Sequence, residues 1–152
     1  MSRQSTGKFL DVVRAYWSRH QKVMEHNFSR YAQRCQVVAA EQDRVKLEFT
    51  VTNDVLNTVG TLHGGCTATL LDICMSLSHF AANEITGNDF GGTIDMTIHY
   101  MNAAKLGDIL EIDVETIKTE DTLGFFKGEI SRKNDGAIIA TATQTCSFKS
   151  RL

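Results

Sequence analysis

The chain has 152 residues and a net charge of -2, with 22% charged and 42% hydrophobic residues. That length supports one domain with a real core. The near-neutral balance leaves no electrostatic footprint for a nucleic-acid partner, and no apolar run reaches membrane-spanning length. Cys35, Cys66, Cys74 and Cys146 form no C-x-x-C pair, so they are expected as reduced thiols of an intracellular protein. The start of the chain lacks the apolar stretch of a secretory signal.

Residues 1–30 are basic and amphipathic. Phe9, Val12, Val13, Tyr16 and Trp17 recur at helical spacing, with Lys8, Arg14 and Arg19 between them. Such a segment also fits a mitochondrial presequence, but aromatic anchors suit a helix docked on its own domain better. The reading is therefore an N-terminal helical extension over 1–30 and a single domain over 31–152. Within that domain Arg44-Val45-Lys46-Leu47-Glu48-Phe49-Thr50-Val51 alternates cleanly and predicts a half-buried strand, with residues 35–41 as its hairpin partner.

Gly60-Thr61-Leu62-His63-Gly64-Gly65 follows and runs into a predicted buried helix over 66–82. Glycines at a helix start leave backbone N–H groups free at the positive end of the helix dipole. Such donors can polarise a carbonyl oxygen. The helix is apolar almost all round, except for a line of polar residues at spacings of three and four: Thr69, Asp72, Ser76 and His79. A solvent-facing stripe would explain that pattern, since exposed helical acids are common. Next to a carbonyl-binding turn, however, a lone carboxylate suits a general base or a nucleophile.

Gly64 and Asp72 cannot serve one carbonyl within one chain. Eight residues at ~1.5 Å each separate them by ~12 Å along the axis. Two antiparallel helices, one per subunit, would close that gap, so the pattern predicts an active site at a two-fold interface. No His or Cys lies at zinc-ligand spacing from His63, and His20, His26, His79 and His99 read as structural or exposed. Neither a G-x-S-x-G elbow nor a phosphate-cradling P-loop is present.

Further strands are predicted at Thr93–Met101, with Ile94, Met96, Ile98 and Tyr100 on one face, at 110–115, at 122–132 and at 137–148. The last two flank a turn at Lys133-Asn134-Asp135-Gly136. One long helix with two strands before it and four after predicts an α+β fold, an antiparallel sheet wrapped on a helix. The terminal Ser150-Arg151-Leu152 resembles the S-K-L address. Delivery to the peroxisome is expected from it, with cytosol or mitochondrion as alternatives.

Three stretches carry a resemblance across residues 30–148. They are Asn57-Thr58-Val59-Gly60-Thr61-Leu62-His63-Gly64-Gly65, then Thr67-Ala68-Thr69-Leu70-Leu71-Asp72, and Asp95-Met96-x-Ile98-x-Tyr100-Met101 with Ala104-Lys105-Leu106-Gly107. Together they resemble the hotdog-fold acyl-CoA thioesterases of the phenylacetate-type subgroup. The resemblance implies a long central helix wrapped by a curved antiparallel sheet, with two subunits forming one continuous sheet, usually within a homotetramer. It implies hydrolysis of fatty acyl-CoA of medium to long chain to free acid and CoA, with no cofactor or metal. An aryl-CoA thioesterase and a non-catalytic acyl-CoA-binding protein are the alternatives.

The resemblance also implies roles. Gly64 would donate its N–H to the thioester carbonyl, Asn57 and His63 would help position that carbonyl and the water, and Asp72 of the second subunit would be base or nucleophile. Thr93 stands where the family has a water-holding serine. Gly65, Lys105, Arg132 and Lys133 are candidate substrate-binding residues, the three cations together with Lys149 for the CoA phosphates. Two departures stand out: Ala103 replaces the family's proline, and the strand Thr143–Phe148 lacks the basic and histidine residues expected near CoA.

Overall fold

The computed structural model describes residues 3–82 and 91–148. Lys149 and the Ser150-Arg151-Leu152 tail lie outside them. Helix α1 (Arg3–Met24) leads through a 3-10 turn (Phe28–Arg34) into strands β1 (Gln36–Glu41) and β2 (Arg44–Thr50). A second 3-10 turn (Asn53–Val55) precedes helices α2 (Gly64–Met75) and α3 (Leu77–Ala82). Strands β3 (Gly92–Tyr100), β4 (Ile109–Thr119), β5 (Leu123–Arg132) and β6 (Ile138–Ser147) follow. The strands form one antiparallel sheet in the order β1-β2-β4-β5-β6-β3.

The period-two stretches supply the inner face of this sheet. Val45, Leu47 and Phe49 of β2, Leu110, Ile112 and Val114 of β4, and Phe126 and Ile130 of β5 are fully buried in one core with Leu70, Leu71, Cys74 and Met75 of α2. Their neighbours in sequence point outward as charged residues and pair across strands. Arg44 reaches Asp113 at 2.7 Å, Lys46 reaches Glu111 at 2.7 Å, and Lys133 binds Glu48. One face therefore carries the core and the other an ion-pair ladder, whose exposed members each contribute only about 0.2–1 kcal/mol.

A sheet has two edges, and this one treats them differently. At the β1 edge α1 lies across the strand. Trp17 donates its indole N–H to Cys35 O at 2.9 Å and Arg14 donates Nε–H to Val37 O at 3.1 Å. Val13 and Trp17 are buried beneath α1, and Tyr16 stacks on Phe80 of α3 at 3.9 Å between ring centroids. Burial pushes the Tyr16 phenol up to about 12. The amphipathic segment is thus a docked helix, and it blunts an edge that would otherwise invite pairing. At the β3 edge no strand pairs on the outer side among the described residues.

Two expectations are revised. The helix predicted as continuous over 66–82 breaks at Ser76. There Ser76 Oγ donates to Ile73 O (2.8 Å) and Ser78 Oγ donates to Met75 O (2.9 Å), in competition with the backbone ladder. The polar stripe ends at this break: His79 turns into the core, 5% exposed and stacked on Phe148 at 4.4 Å. On β3, Met96 and Ile98 pack on the core as expected, but Ile94 is 49% exposed. The register with β6 shifts between Thr93 and Asp95, and at this bulge the Thr93 hydroxyl, rather than Ile94, is aimed at α2, where it meets Asp72.

One core contact is tight enough to predict. A Cβ on Gly124 would stand 2.4 Å from Phe148 Cζ and 2.7 Å from the Phe126 ring. Gly124→Ala is therefore expected to destabilise the fold by about 1–3 kcal/mol. Urea unfolding should show a lower midpoint at unchanged m-value; an unchanged midpoint would mean the rings move aside without cost.

Candidate active site

The glycine turn before α2 is organised by Asn57. Its Oδ1 accepts from Val59 N–H (3.1 Å) and Thr61 N–H (3.0 Å), and its Nδ2 donates to Thr61 Oγ1 (2.9 Å). This side chain mimics backbone, as Asn does in Asx turns, and Gly60 takes the left-handed conformation (φ 81°) that closes the loop. The second Nδ2 hydrogen has no acceptor among the described residues. The loop delivers His63 as the N-cap of α2, where Nδ1 accepts from Gly65 N–H at 2.9 Å. That bond places the neutral ring's proton on Nε2, available as a donor.

Both glycines now have separate reasons. A Cβ on Gly65 would lie 3.1 Å from His63 Nδ1 and 3.3 Å from Cε1, so the absence of a side chain lets the ring close over the turn. Gly64 is the first helical residue, and its N–H has no acceptor within the helix. It sits at the positive end of α2 and is the donor best placed for a carbonyl oxygen. Tyr100 steadies this residue from the sheet, its hydroxyl donating to Gly64 O at 3.1 Å. The sequence pattern placed Tyr100 on one face with Ile94, Met96 and Ile98, without that role.

Two turns along α2 a second cluster forms around Asp72. Thr93 Oγ1 donates to Asp72 Oδ1 at 2.6 Å. Gln144 Nε2 donates to the same oxygen at 2.7 Å, lies 2.9 Å from Thr93 Oγ1, and is 3.1 Å from Asp72 O. Oδ1 is thus saturated, while Oδ2 has no hydrogen-bond partner among the described residues. The carboxylate is held by one oxygen and presents the other. Beside it Cys146 Sγ lies 3.9 Å from Thr93 Oγ1. Burial, with a contribution from the Asp72 charge, pushes its thiol up to about 11, so it stays protonated and unreactive.

Gln144 was not singled out by the sequence reading. Its signal is a long amide in the inward row Ala140, Ala142, Gln144, Cys146 of β6, where every other member is small and weakly polar or apolar. It is 3% exposed, and its Oε1 is buried without a hydrogen-bond partner among the described residues. Such an orphan is costly and is retained here beside the donor on Asp72. Gln144→Leu is expected to reduce kcat about tenfold with KM little changed, the size of a hydrogen bond to a charged group. Loss of the orphan oxygen should leave the melting temperature nearly unaltered. A kcat within twofold of the unmodified protein would show that Gln144 does not hold the carboxylate for chemistry.

The structure thus brings Asn57, His63, Gly64 and Gly65 together at one end of α2, and Asp72 and Thr93 together further along it. It does not join the two groups within one chain, because the ~12 Å along the helix remains. Of the candidate phosphate ligands, Lys105 lies beside the turn, its backbone bridged to Thr61, with an exposed side chain. Arg132 and Lys133 are already engaged. Arg132 lies 3.6 Å from Asp108 and 3.5 Å from Asp135 and donates to Ala103 O at 3.3 Å, while Lys133 pairs with Glu48 on the sheet's outer face.

The chain is similar to several known proteins in sequence and in fold. Human acyl-coenzyme A thioesterase 13 is 35% identical over 119 residues, which cover 78% of this chain and 83% of the relative. The crystal structure of zebrafish thioesterase superfamily member 2 superposes with a TM-score of 0.77 at 31% identity, covering 86% of this chain and 94% of that one. The crystal structure of a hypothetical thioesterase protein from Streptococcus pneumoniae with coenzyme A superposes with a TM-score of 0.73 at 25% identity, over 86% of this chain and 97% of that one. The family model described as the thioesterase superfamily matches residues 59–139, from the glycine turn through Asp72 and Thr93 to the start of β6, and the chain accordingly belongs to this superfamily, in its hotdog fold.

Proposed function

We propose that the protein hydrolyses fatty acyl-CoA thioesters to free acid and CoA, at sites built by two subunits. The observation that carries this reading is the half-free carboxylate: Asp72 is fixed through Oδ1 by Thr93 and Gln144, with Oδ2 open. A binding module needs a carbonyl donor but has no use for a positioned base. In the pair, the Gly64 N–H of one subunit polarises the thioester carbonyl and His63 Nε2–H offers a second donor. Asp72 of the second subunit takes a proton from water through Oδ2. The water oxygen bonds to the carbonyl carbon, the C–S bond breaks, and the proton passes to the departing sulfur, leaving carboxylic acid and CoA thiol.

The uncovered β3 edge supports the two-subunit arrangement. It is the sheet edge that α1 leaves uncovered, and Ile94 (49% exposed), Tyr100 (57%) and Met101 (56%) offer apolar surface there. Lys105 is the cation best placed to meet a CoA phosphate, since Arg132 and Lys133 have partners of their own. The reading is tested by incubating the protein with acyl-CoA and a thiol reagent. Stoichiometric CoA release is expected; tight binding without release would instead make the protein an acyl-CoA-binding module.

A further inference from the structure

The peptide group between Gly64 and Gly65 is hydrogen-bonded by a side chain at each end. Its oxygen accepts from the Tyr100 hydroxyl at 3.1 Å, and its N–H donates to His63 Nδ1 at 2.9 Å. A phenol can only donate to a carbonyl, so the direction of the first bond is fixed. The second bond needs Nδ1 without a proton. Tyr100 and His63, far apart in the chain, are thereby joined through one peptide into a single run of hydrogen bonds.

Different parts of the fold hold the two ends of this run. Tyr100 closes β3, pairing with Ala140 of β6, and the next residue, Met101, donates its N–H to Ile139 O at 2.9 Å. The Tyr100 ring lies against the start of α2, where a Cβ on Gly64 would stand 3.5 Å from Cε1. At the other end the backbone is pinned, with His63 N–H donating to Val55 O (2.9 Å) and Leu62 N–H to Ala104 O (2.8 Å). The His63 side chain itself is exposed. Hydrogen bonding at Nδ1, and not packing, therefore sets where its ring carries the proton.

A donor on a peptide oxygen draws electron density from the nitrogen and makes the N–H a better donor, so bonds in series strengthen one another by about 10–30% each. A proton on Nδ1 would set donor against donor and leave the Gly65 N–H, which has no acceptor within the helix, unpaired. We propose that Tyr100 is a positioning residue: through the Gly64–Gly65 peptide it holds His63 as the neutral tautomer protonated on Nε2, the second donor to the thioester carbonyl. The inference rests on the thioesterase reading above, but the tautomer is read without turnover. Without the hydroxyl the Gly65 bond weakens and the Nδ1–H tautomer competes, so fewer molecules present a competent donor.

The test compares the unmodified protein with Tyr100→Phe, which keeps the ring, with His63→Ala, and with the double variant. Isotopic labelling of histidine nitrogens reads both ring positions by magnetic resonance, and the signal lost in His63→Ala identifies His63 among the five histidines. In the unmodified protein Nδ1 is expected as the acceptor nitrogen and Nε2 as the proton-bearing one. In Tyr100→Phe the two shifts should converge, as exchange between tautomers requires, with the melting temperature within about 2 °C. Turnover of octanoyl-CoA should show kcat lower by about three- to tenfold with KM little changed, the size of one neutral hydrogen bond. His63→Ala keeps a measurable residual rate through the Gly64 N–H. In that background Tyr100→Phe should alter kcat by less than about 1.5-fold, because the two residues act as one unit. Unchanged His63 shifts, an undiminished kcat, or an equal loss in both backgrounds overturns the proposal while leaving the thioesterase reading intact. If no protein of the set cleaves the thioester, yet the His63 shifts converge in Tyr100→Phe, the thioesterase reading fails and the control of His63 by Tyr100 stands.

Discussion

Asp72→Asn is expected to lower kcat by a hundredfold or more while leaving the fold and acyl-CoA binding in place. Asparagine matches aspartate in shape, and its Oδ1 still accepts from Thr93 and Gln144, at the 2.6 and 2.7 Å positions that anchor the carboxylate. What disappears is the ability of the second atom to take a proton. Removing a positioned general base typically costs between about 10² and 10⁴ in rate. Because the lost interaction belongs to the transition state, the decrease should fall on kcat, and KM should stay within a few-fold. Thermal melts of both proteins check the fold. A variant retaining more than about a tenth of the original kcat would sink the assignment of Asp72 as the base.

The second large effect is complementation between two dead proteins. One carries Asp72→Ala; in the other Gly64→Leu crowds the turn, since even a Cβ at Gly64 would already lie 3.5 Å from the Tyr100 ring. Each alone should be inactive. If each site takes its donor from one chain and its carboxylate from the other, a mixed dimer collects both lesions in one site and none in the other. Random reassortment makes about half of the dimers mixed, so about a quarter of all sites should be intact. The measurement is CoA release after co-refolding the two variants in equal amounts, with subunit exchange verified by differently sized tags. Exchange without recovered activity would place Asp72 and Gly64 in the same site of one chain, against the ~12 Å helical separation.

Much of this molecule is local and therefore legible from the residues in order. Alternation in Arg44–Val51 and in residues 110–115 reports which side chains face the core, because a strand repeats every two residues whatever its neighbours. The Gly60–Gly65 turn and the single carboxylate in an apolar helix are likewise readable, and so is the helical spacing separating Gly64 from Asp72. The docked N-terminal helix follows from the spacing of Val13, Tyr16 and Trp17. What periodicity does not carry is the partner of each strand and the exact aim of each side chain.

Those were decided by the tertiary structure. The sheet sets β3 against β6 rather than β4, and this pairing carries Gln144 to Asp72 across 72 residues of chain. A single bulge between Thr93 and Asp95 puts a hydroxyl, and not Ile94, beside the carboxylate. Competing serine hydroxyls end α2 at Met75, and ion pairs with Glu48 and Asp108 engage Lys133 and Arg132, which in sequence looked free to meet a phosphate. Apart from the serine contacts, which span three residues, the deciding contact joins residues far apart in the chain. The amino-acid order by itself determines faces, turns and the residue types available for chemistry; only packing, which sets register and burial, determines which of them meet.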